Sequence, residues 1–159
     1  MSKILNRYIF MKPDIRGIIE WAILITLAIL SDLLSILMII SNIVIHLIGY
    51  TLFGIGLIIH AISHIHHKQA HSKAGEIKYI VTHGIYSKIR HPGYLGIILA
   101  YIGFSLWWNS IVPLIIALIL SILLVVTALE EEKFLLKKFG RVYEEYMRKV
   151  KWRFIPGLF

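Results

Sequence analysis

The sequence predicts an all-α integral membrane protein with four transmembrane helices arranged as two hairpins, and a C-terminal amphipathic helix on the cytoplasmic side. Three observations predict it. First, 58% of the 159 residues are hydrophobic and the mean hydropathy is +0.77, whereas soluble domains are about 45–50% apolar. Second, all 17 lysines and arginines fall in three segments, 1–16, 65–92 and 130–159, with none in the apolar intervals between them. Third, two apolar runs of nearly bilayer length flank the short connection Trp107-Trp108-Asn109-Ser110.

The charge pattern sets the topology. Basic segments beside membrane helices favour the cytoplasmic face, so all three segments, and both termini with them, are expected there. The formal charge of +8 therefore reads as orientation and attraction to anionic headgroups, not as nucleic-acid binding. The chain has no cysteine, which excludes disulfides, thiolate metal sites and cysteine nucleophiles. Its first apolar run lacks the short core and small-residue cleavage site of a signal peptide, so it is read as a retained helix. The length suits one domain: residues 1–77 supply the first hairpin and a loop, and 78–159 the core of a site.

Three inside segments require an even number of spans between each pair. Gly17 to Ser63 is 47 residues, mostly apolar. A single span takes roughly 20, so this interval holds two helices and a turn, which falls between Ser31 and Asn42. Glu20 and Asp32 are assigned to interfaces. The second helix ends near His64 and carries Gly49, Gly54 and Gly56, small residues that let membrane helices approach closely. Gly54-x-Gly56 is not a dinucleotide fingerprint, because no strand precedes it and the third glycine is missing. The second hairpin runs from Pro92 to Trp108 and from Ile111 to Leu129, about 25 and 28 Å of helix. Trp107 and Trp108 suit the far interface, and Pro113 is tolerated within a first helical turn.

Two polar clusters bracket that hairpin: Arg90-His91-Pro92-x-Tyr94-x-Gly96 before it, and Glu130-Glu131-Glu132 after it. With Asn109 and Ser110 as the apex, His91 lies opposite residue 128 and Glu131 lies one turn beyond. Arg90, His91 and Tyr94 should therefore meet Glu131 and Glu132 at the cytoplasmic face. Pro92 fits the first helical position. The N–H groups and positive dipole end behind it favour an anion, and the facing carboxylates favour a cation. Such a site suits a zwitterion. The same residues also fit a structural Arg–Glu pair that closes the hairpin.

In order and spacing, these motifs resemble the isoprenylcysteine carboxyl methyltransferase family and its bacterial and archaeal relatives. The matching elements are Ile80-Val81-Thr82-His83-Gly84-Ile85-Tyr86, the Arg90–Gly96 run, Glu131-Glu132 with Leu135, Phe139-Gly140 with Tyr143 and Tyr146, and the terminal stretch from Val150 to Pro156. The resemblance covers about half the chain, residues 78–156. It implies a cofactor, S-adenosyl-L-methionine, held by Lys78, Tyr79, Ile80, Val81, Tyr86, His91, Pro92, Gly93, Tyr94, Glu131 and Glu132, with His91, Glu131 and Arg90 as catalytic candidates. The start of the third helix would take the methionyl carboxylate and Glu131 the ammonium. Tyr86 and Tyr94 would pack on adenine or on the sulfonium by cation–π attraction, or serve as interfacial anchors. The family's eukaryotic enzymes carry a substrate-linked arginine at the position of Thr127, so the likeness does not extend to that residue.

Two features stand beside this. Residues 60–71 hold five histidines: His60, His64, His66, His67 and His71. They faintly resemble the histidine boxes of membrane di-iron enzymes, which need more histidines. The plainer reading is an interfacial helix end with snorkelling side chains, and no metal is assigned. His71 is a further candidate for cofactor contact. From Glu131 to Val150, Phe134, Leu135, Phe139, Val142, Tyr143, Tyr146 and Val150 form an apolar stripe at helical spacing, opposite a basic face. Such a helix can lie on an anionic leaflet or cover the cofactor, and Gly140 can bend it.

The sequence-based expectation is a membrane methyltransferase that esterifies a carboxylate on a lipophilic molecule entering from the bilayer. N-methylation of a lipid amine, a non-catalytic protein that kept the fold and a sterol-reductase-like enzyme are the rivals. Lipids and a lipophilic or lipid-modified substrate are the expected partners, and four short helices leave room for a homodimer.

Overall fold

A computed structural model describes residues 3–38, 42–69, 72 and 74–158. Six α-helices lie among the described residues: α1 (Lys3–Ile9), α2 (Pro13–Leu33), α3 (Ile43–His66), α4 (Pro92–Trp108), α5 (Ile111–Phe139) and α6 (Arg141–Lys149). No strand occurs among the described residues; a lone antiparallel bridge joins Met38 to Ser110. α3 and α5 are long and apolar enough to cross a membrane, and α4 is a shorter apolar helix of 17 residues. α2 has 21 residues but carries Asp14, Arg16, Glu20 and Asp32. The outward faces are apolar: Ile18, Leu47, Ile58 and Ile122 are among many large hydrophobic residues left exposed. A water-soluble domain rarely leaves so much apolar surface open.

The helix ends follow their local chemistry. Pro92 and Pro13 open α4 and α2, where a missing N–H costs nothing. Asn42 Oδ1 accepts from Val44 N at 2.8 Å and Ser110 Oγ from Val112 N at 3.3 Å, capping α3 and α5. Asn109 closes α4 in the left-handed conformation, φ 64°. At this end of the bundle Ser31 Oγ hydrogen-bonds Ser110 Oγ, and Ile111 N donates to Leu37 O at 3.0 Å. The first inter-helix turn, left open between Ser31 and Asn42, begins at Leu34 and extends past Met38; residues 39–41 lie outside the described set.

The tightest packing is α3 against α4, and glycines make it possible. A Cβ on Gly56 would stand 2.5 Å from Gly96 O, and one on Gly49 would stand 2.9 Å from Gly103 O. Backbone meets backbone at both levels, as small residues allow in membrane helices. Gly54, grouped with these two in the sequence, faces open space. α5 lies along α4, and α2 leans on α5 while barely touching α4. Leu24, Ala28, Tyr101, Phe104, Ala117, Leu120 and Leu124 form the core between them.

Three expectations change. α1 was not foreseen as a helix. The C-terminal stripe is not one continuous helix: α5 ends at Phe139, and Gly140, at φ 54° and ψ −127°, turns the chain into α6, a conformation that L side chains rarely adopt. Glu20, read as an interfacial residue, is not solvated. It is 1% exposed, because its carboxylate is held inside by partners described below; Asp32 is exposed.

Candidate active site

The polar end of the bundle is organised by one carboxylate. Glu132 is 4% exposed. It accepts from Arg90 Nε at 2.7 Å, lies 3.2 Å from His91 Nε2 through the same oxygen, and accepts from Arg153 Nε at 3.0 Å through the other. Arg90 also donates from Nη1 to Val150 O at 2.7 Å and to Lys151 O at 2.9 Å. The backbone completes the clasp: Arg90 N and His91 N donate to Trp152 O and Arg153 O, both at 2.9 Å. The C-terminal tail is thereby tied to the start of α4. Burial alone would raise the Glu132 pKa, yet the hydrogen bonds and charges of His91 and Arg90 bring it down to about 2. This is the structural Arg–Glu pair left open by the sequence.

Glu131, one position along α5, faces the other way, into a cavity of about 720 Å³. That volume lies within the range of ligand pockets, roughly 300–1,000 Å³. Glu131 Oε2 stands 3.9 Å from His91 Nδ1. The His91 ring stacks on Tyr94 with centroids 5.7 Å apart and planes 9° from parallel. α4 begins here without a side-chain cap. The Gly93 and Tyr94 N–H groups, in the first turn, have no intrahelical acceptor. A helix start and a carboxylate thus face one space, and the buried polar atom His67 Nδ1, among the cavity's lining residues, has no hydrogen-bond partner. These features fit a zwitterionic ligand such as S-adenosylmethionine: an anion at the α4 start, a cation at Glu131, and a hydrogen-bonding edge at His67.

Of the sequence-predicted residues, Tyr79, Ile80, Val81, Tyr86, Arg90, His91, Gly93, Tyr94 and Glu131 line the cavity. Lys78, Pro92 and Glu132 do not. Lys78 is exposed, and its backbone N–H donates to Gln69 Oε1 at 2.6 Å. Pro92 is buried as the first residue of α4. Glu132 is turned towards the tail. Arg90 reaches the cavity wall with Nε and Nη1 already engaged. Tyr143 and Tyr146 of α6 also line it, and Tyr146 OH donates to Tyr86 O at 2.9 Å; α6 covers this end. Burial raises the Tyr86 hydroxyl to about 12 and pushes Tyr143 and Tyr146 up as well. These phenols stay protonated and neutral near pH 7. Burial lowers the His67 imidazole, which keeps it neutral too.

Of the histidine run, His60, His64 and His67 line the cavity. His60 Nδ1 lies 3.2 Å from Gly93 O, and His66 Nδ1 lies 2.8 Å from Ile62 O. Among the described residues, no three His, Asp or Glu side chains converge as metal ligands would. His71 falls outside the described residues.

Sequence reasoning missed the second polar group in the same cavity. Arg16 and Glu20, one turn apart on α2, are 3% and 1% exposed, with Nε 3.7 Å from Oε1. Glu20 accepts from Tyr101 OH at 2.6 Å and from Tyr8 OH. Arg16 Nη1 lies 3.4 Å from Thr127 Oγ1, so a guanidinium from α2 stands at the position where the resemblance expected an arginine on α5. The signal was the i,i+4 Arg–Glu spacing at the head of a largely apolar run, where charge is costly and often marks function. From there the cavity widens between α2 and α3, which do not pack along one another. Ile18, Ile25 and Leu57 line this opening and are 70%, 41% and 46% exposed, so its walls continue into the apolar outer surface.

An all-helical fold with apolar outer faces and a cavity joining charged and apolar ends defines a membrane-type helical protein with an interior cavity. A family model for phospholipid methyltransferases matches residues 44–142, and the chain belongs to that family. It is also similar to a probable protein-S-isoprenylcysteine O-methyltransferase of Oryza sativa subsp. japonica, 34% identical over 87 residues, 54% of this chain and 42% of the relative. The protein-S-isoprenylcysteine O-methyltransferase of Schizosaccharomyces pombe is 35% identical over 80 residues, 50% of this chain and 34% of its own. The Delta(14)-sterol reductase TM7SF2 of Mus musculus is 30% identical over 82 residues, half of this chain and 20% of its own. The matched stretch is thus well under half of each relative's length.

Proposed function

We propose that this chain is an S-adenosylmethionine-dependent membrane methyltransferase that esterifies a carboxylate on a lipophilic acceptor. The observation that carries this reading is the single cavity with two unlike ends. Glu131, the uncapped start of α4 and His67 form a polar end, and an apolar opening between α2 and α3 leads to the outer surface. In the membrane, α2 to α5 act as four spans in two hairpins with both termini cytoplasmic. The polar end then lies at the cytoplasmic side and the apolar mouth opens to lipid.

S-adenosylmethionine, when bound, supplies an already activated methyl group on a sulfonium. What remains for the chain is proximity and alignment. Glu131 would hold the ammonium, the Gly93 and Tyr94 N–H groups the carboxylate, and α6 with Tyr143 and Tyr146 would exclude water. A carboxylate acceptor is nucleophilic as it stands and no proton moves. The likeness to a sterol reductase supports a second reading, a nicotinamide-dependent reductase. Titrating the purified chain with S-adenosylhomocysteine and, separately, with NADPH tests both. Binding of the first alone is expected; binding of NADPH alone overturns the proposal. Incubation of membranes with methyl-labelled S-adenosylmethionine then assigns the acceptor. A methyl ester releases labelled methanol in base, whereas an N-methyl product keeps its label.

A further inference from the structure

The carboxylate of the buried ion pair on α2 ties α1 and α4 to α2, while both members of the pair line the cavity. Glu20 is well satisfied by two tyrosine hydroxyls. Arg16 is not held to the same degree. Besides the Tyr94 hydroxyl, its acceptors are distant: Thr127 Oγ1 at 3.4 Å, Ile9 O at 3.5 Å and the Glu20 carboxylate 3.7 Å from Nε. These lie at or beyond the outer edge of hydrogen bonding, for a group with five N–H donors in a fixed fork. The guanidinium also borders Tyr94, with Cζ 5.4 Å from the ring centroid, and the Tyr94 hydroxyl touches both Arg16 and Glu131. One tyrosine therefore links the cation on α2 to the carboxylate of the polar end, and all three residues line one cavity.

Charge balance points the same way. Around this end Arg16 faces Glu20, Arg90 and Arg153 share Glu132, and Glu131 stands beside His91: three arginines against three buried or half-buried carboxylates, with a fourth, Asp14, exposed at the mouth. A bound S-adenosylmethionine adds a net charge of about +1 from its sulfonium, ammonium and carboxylate, and a low-dielectric site then favours one further anion. An amine acceptor would deepen the imbalance.

We propose that Arg16 is the specificity-determining residue of the acceptor site, gripping the carboxylate of an amphiphile whose tail lies along Ile18, Ile25 and Leu57. This rests on the methyltransferase reading. In the transfer, a carboxylate oxygen forms a bond to the methyl carbon, the carbon–sulfur bond breaks, and its electron pair stays on sulfur. The products are a methyl ester and a neutral thioether. Guanidinium takes carboxylate with two parallel bonds, which would leave a lone pair of one oxygen free to attack.

The test uses the full chain in nanodiscs, loaded with sinefungin, which keeps a positive charge at the sulfonium position and transfers no methyl group. Palmitate, palmitamide and hexadecylamine are titrated in turn. The native chain should prefer palmitate by about ten- to a hundredfold, the worth of a hydrogen bond to a charged group. Arg16→Lys should lose most of that preference. The double variant Arg16→Gln with Glu20→Gln, which leaves no buried charge unpaired, should lose all of it. Sinefungin should still bind both variants, with an affinity within about tenfold of the native value, since Tyr94 couples Arg16 to Glu131 but neither substitution removes a group of the polar end. A native chain that binds sinefungin yet takes palmitate and palmitamide equally overturns the Arg16 assignment, as does a double variant that keeps the preference. A native chain that does not bind sinefungin overturns the methyltransferase reading itself.

Discussion

Arg90 donates from Nε to Glu132 Oε1 across 2.7 Å, and the two side chains are 4% and 5% exposed. This pair joins the start of α4 to the C-terminal part of α5, and the spare Nη1 donor of Arg90 gathers the tail at Val150 and Lys151. The neighbouring carboxylates of the triple acid thus divide their work: Glu132 holds the scaffold, while Glu131 faces the cavity.

Glu132→Gln should therefore destabilise the fold. It leaves Arg90 and Arg153 facing a neutral amide, and breaking a buried pair typically costs about 3–5 kcal/mol. Loss of helical signal on heating in detergent measures it. Glu130→Gln is the control: Glu130 pairs with Lys133, whose side chain is 72% exposed, so its loss should cost about 0.5 kcal/mol or less. Equal melting of the two variants would remove Glu132 from its central place. The pH dependence has a definite sign. The carboxyl lies at about 2 in the fold against an ordinary 4.5, so its contribution is complete above that ordinary value. It is lost as pH falls from there towards about 2. Acid should unfold the native chain in that window and affect Glu132→Gln less.

Glu131→Gln should leave melting unchanged and weaken the cofactor. A charge-assisted bond to an ammonium is worth roughly 1.5–3 kcal/mol, about ten- to a hundredfold in affinity. Calorimetric titration with S-adenosylhomocysteine reads it directly. Unaltered affinity would mean that the cation lies elsewhere.

The α3–α4 seam predicts a contrast between two glycines that the sequence could not separate. A Cβ on Gly56 meets Gly96 O at 2.5 Å and Ala100 N at 2.6 Å, both backbone; one on Gly54 meets nothing within 4 Å. Gly56→Ala should thus cost about 1–3 kcal/mol as overpacking. Gly54→Ala should be neutral or stabilising by up to about 1 kcal/mol, since glycine is the weaker helix former. Similar thermal shifts in both would mean that the helices are not in backbone contact at Gly56.

What could be read in advance follows a physical line. The helix starts at Pro92 and Ile111, the apex at Asn109-Ser110 and the meeting of His91 with Glu131 and Glu132 are local consequences of capping, rise per residue and hairpin geometry. The separation of Glu131 from Glu132 is also local, a rotation of about 100° along a helix, but which one faces the cavity depends on where the tail lies. The role of Arg16 is further out of reach. Its partners Thr127 and Tyr94 are 111 and 78 residues away, and no periodicity carries information over that distance. Gly140 was visible as a bend, yet whether α6 folds onto the cavity depends on Tyr146 finding Tyr86 O.

The proposed two-hairpin topology makes a labelling prediction. The chain has no cysteine, so single cysteines can be placed freely. Leu34→Cys, at an exposed turn after α2, should react with an impermeant thiol reagent in intact cells. Lys88→Cys and Lys149→Cys, both exposed, should react only after permeabilisation. The reverse pattern would invert the orientation and place the polar end outside.

His91 separates the acceptor chemistries most sharply. Its Nε2 is occupied by Glu132 at 3.2 Å and its Nδ1 lies 3.9 Å from Glu131 Oε2, so it sits where a general base could stand. A carboxylate acceptor needs none. For that chemistry His91→Ala should act through cofactor affinity, by loosening Glu131 and unstacking Tyr94, with the turnover number at saturating cofactor within about tenfold of the native value. An amine or hydroxyl acceptor that relied on His91 would lose about 10²–10⁴ in turnover with the cofactor bound. The pH profile gives an independent reading. Turnover on a carboxylate should be flat from about pH 6 to 9, above the ordinary carboxyl range, whereas a base would impose an ascending limb that disappears in His91→Ala. A steep limb together with a large fall in turnover would overturn ester formation and move the assignment to a nitrogen or hydroxyl acceptor in the same cavity.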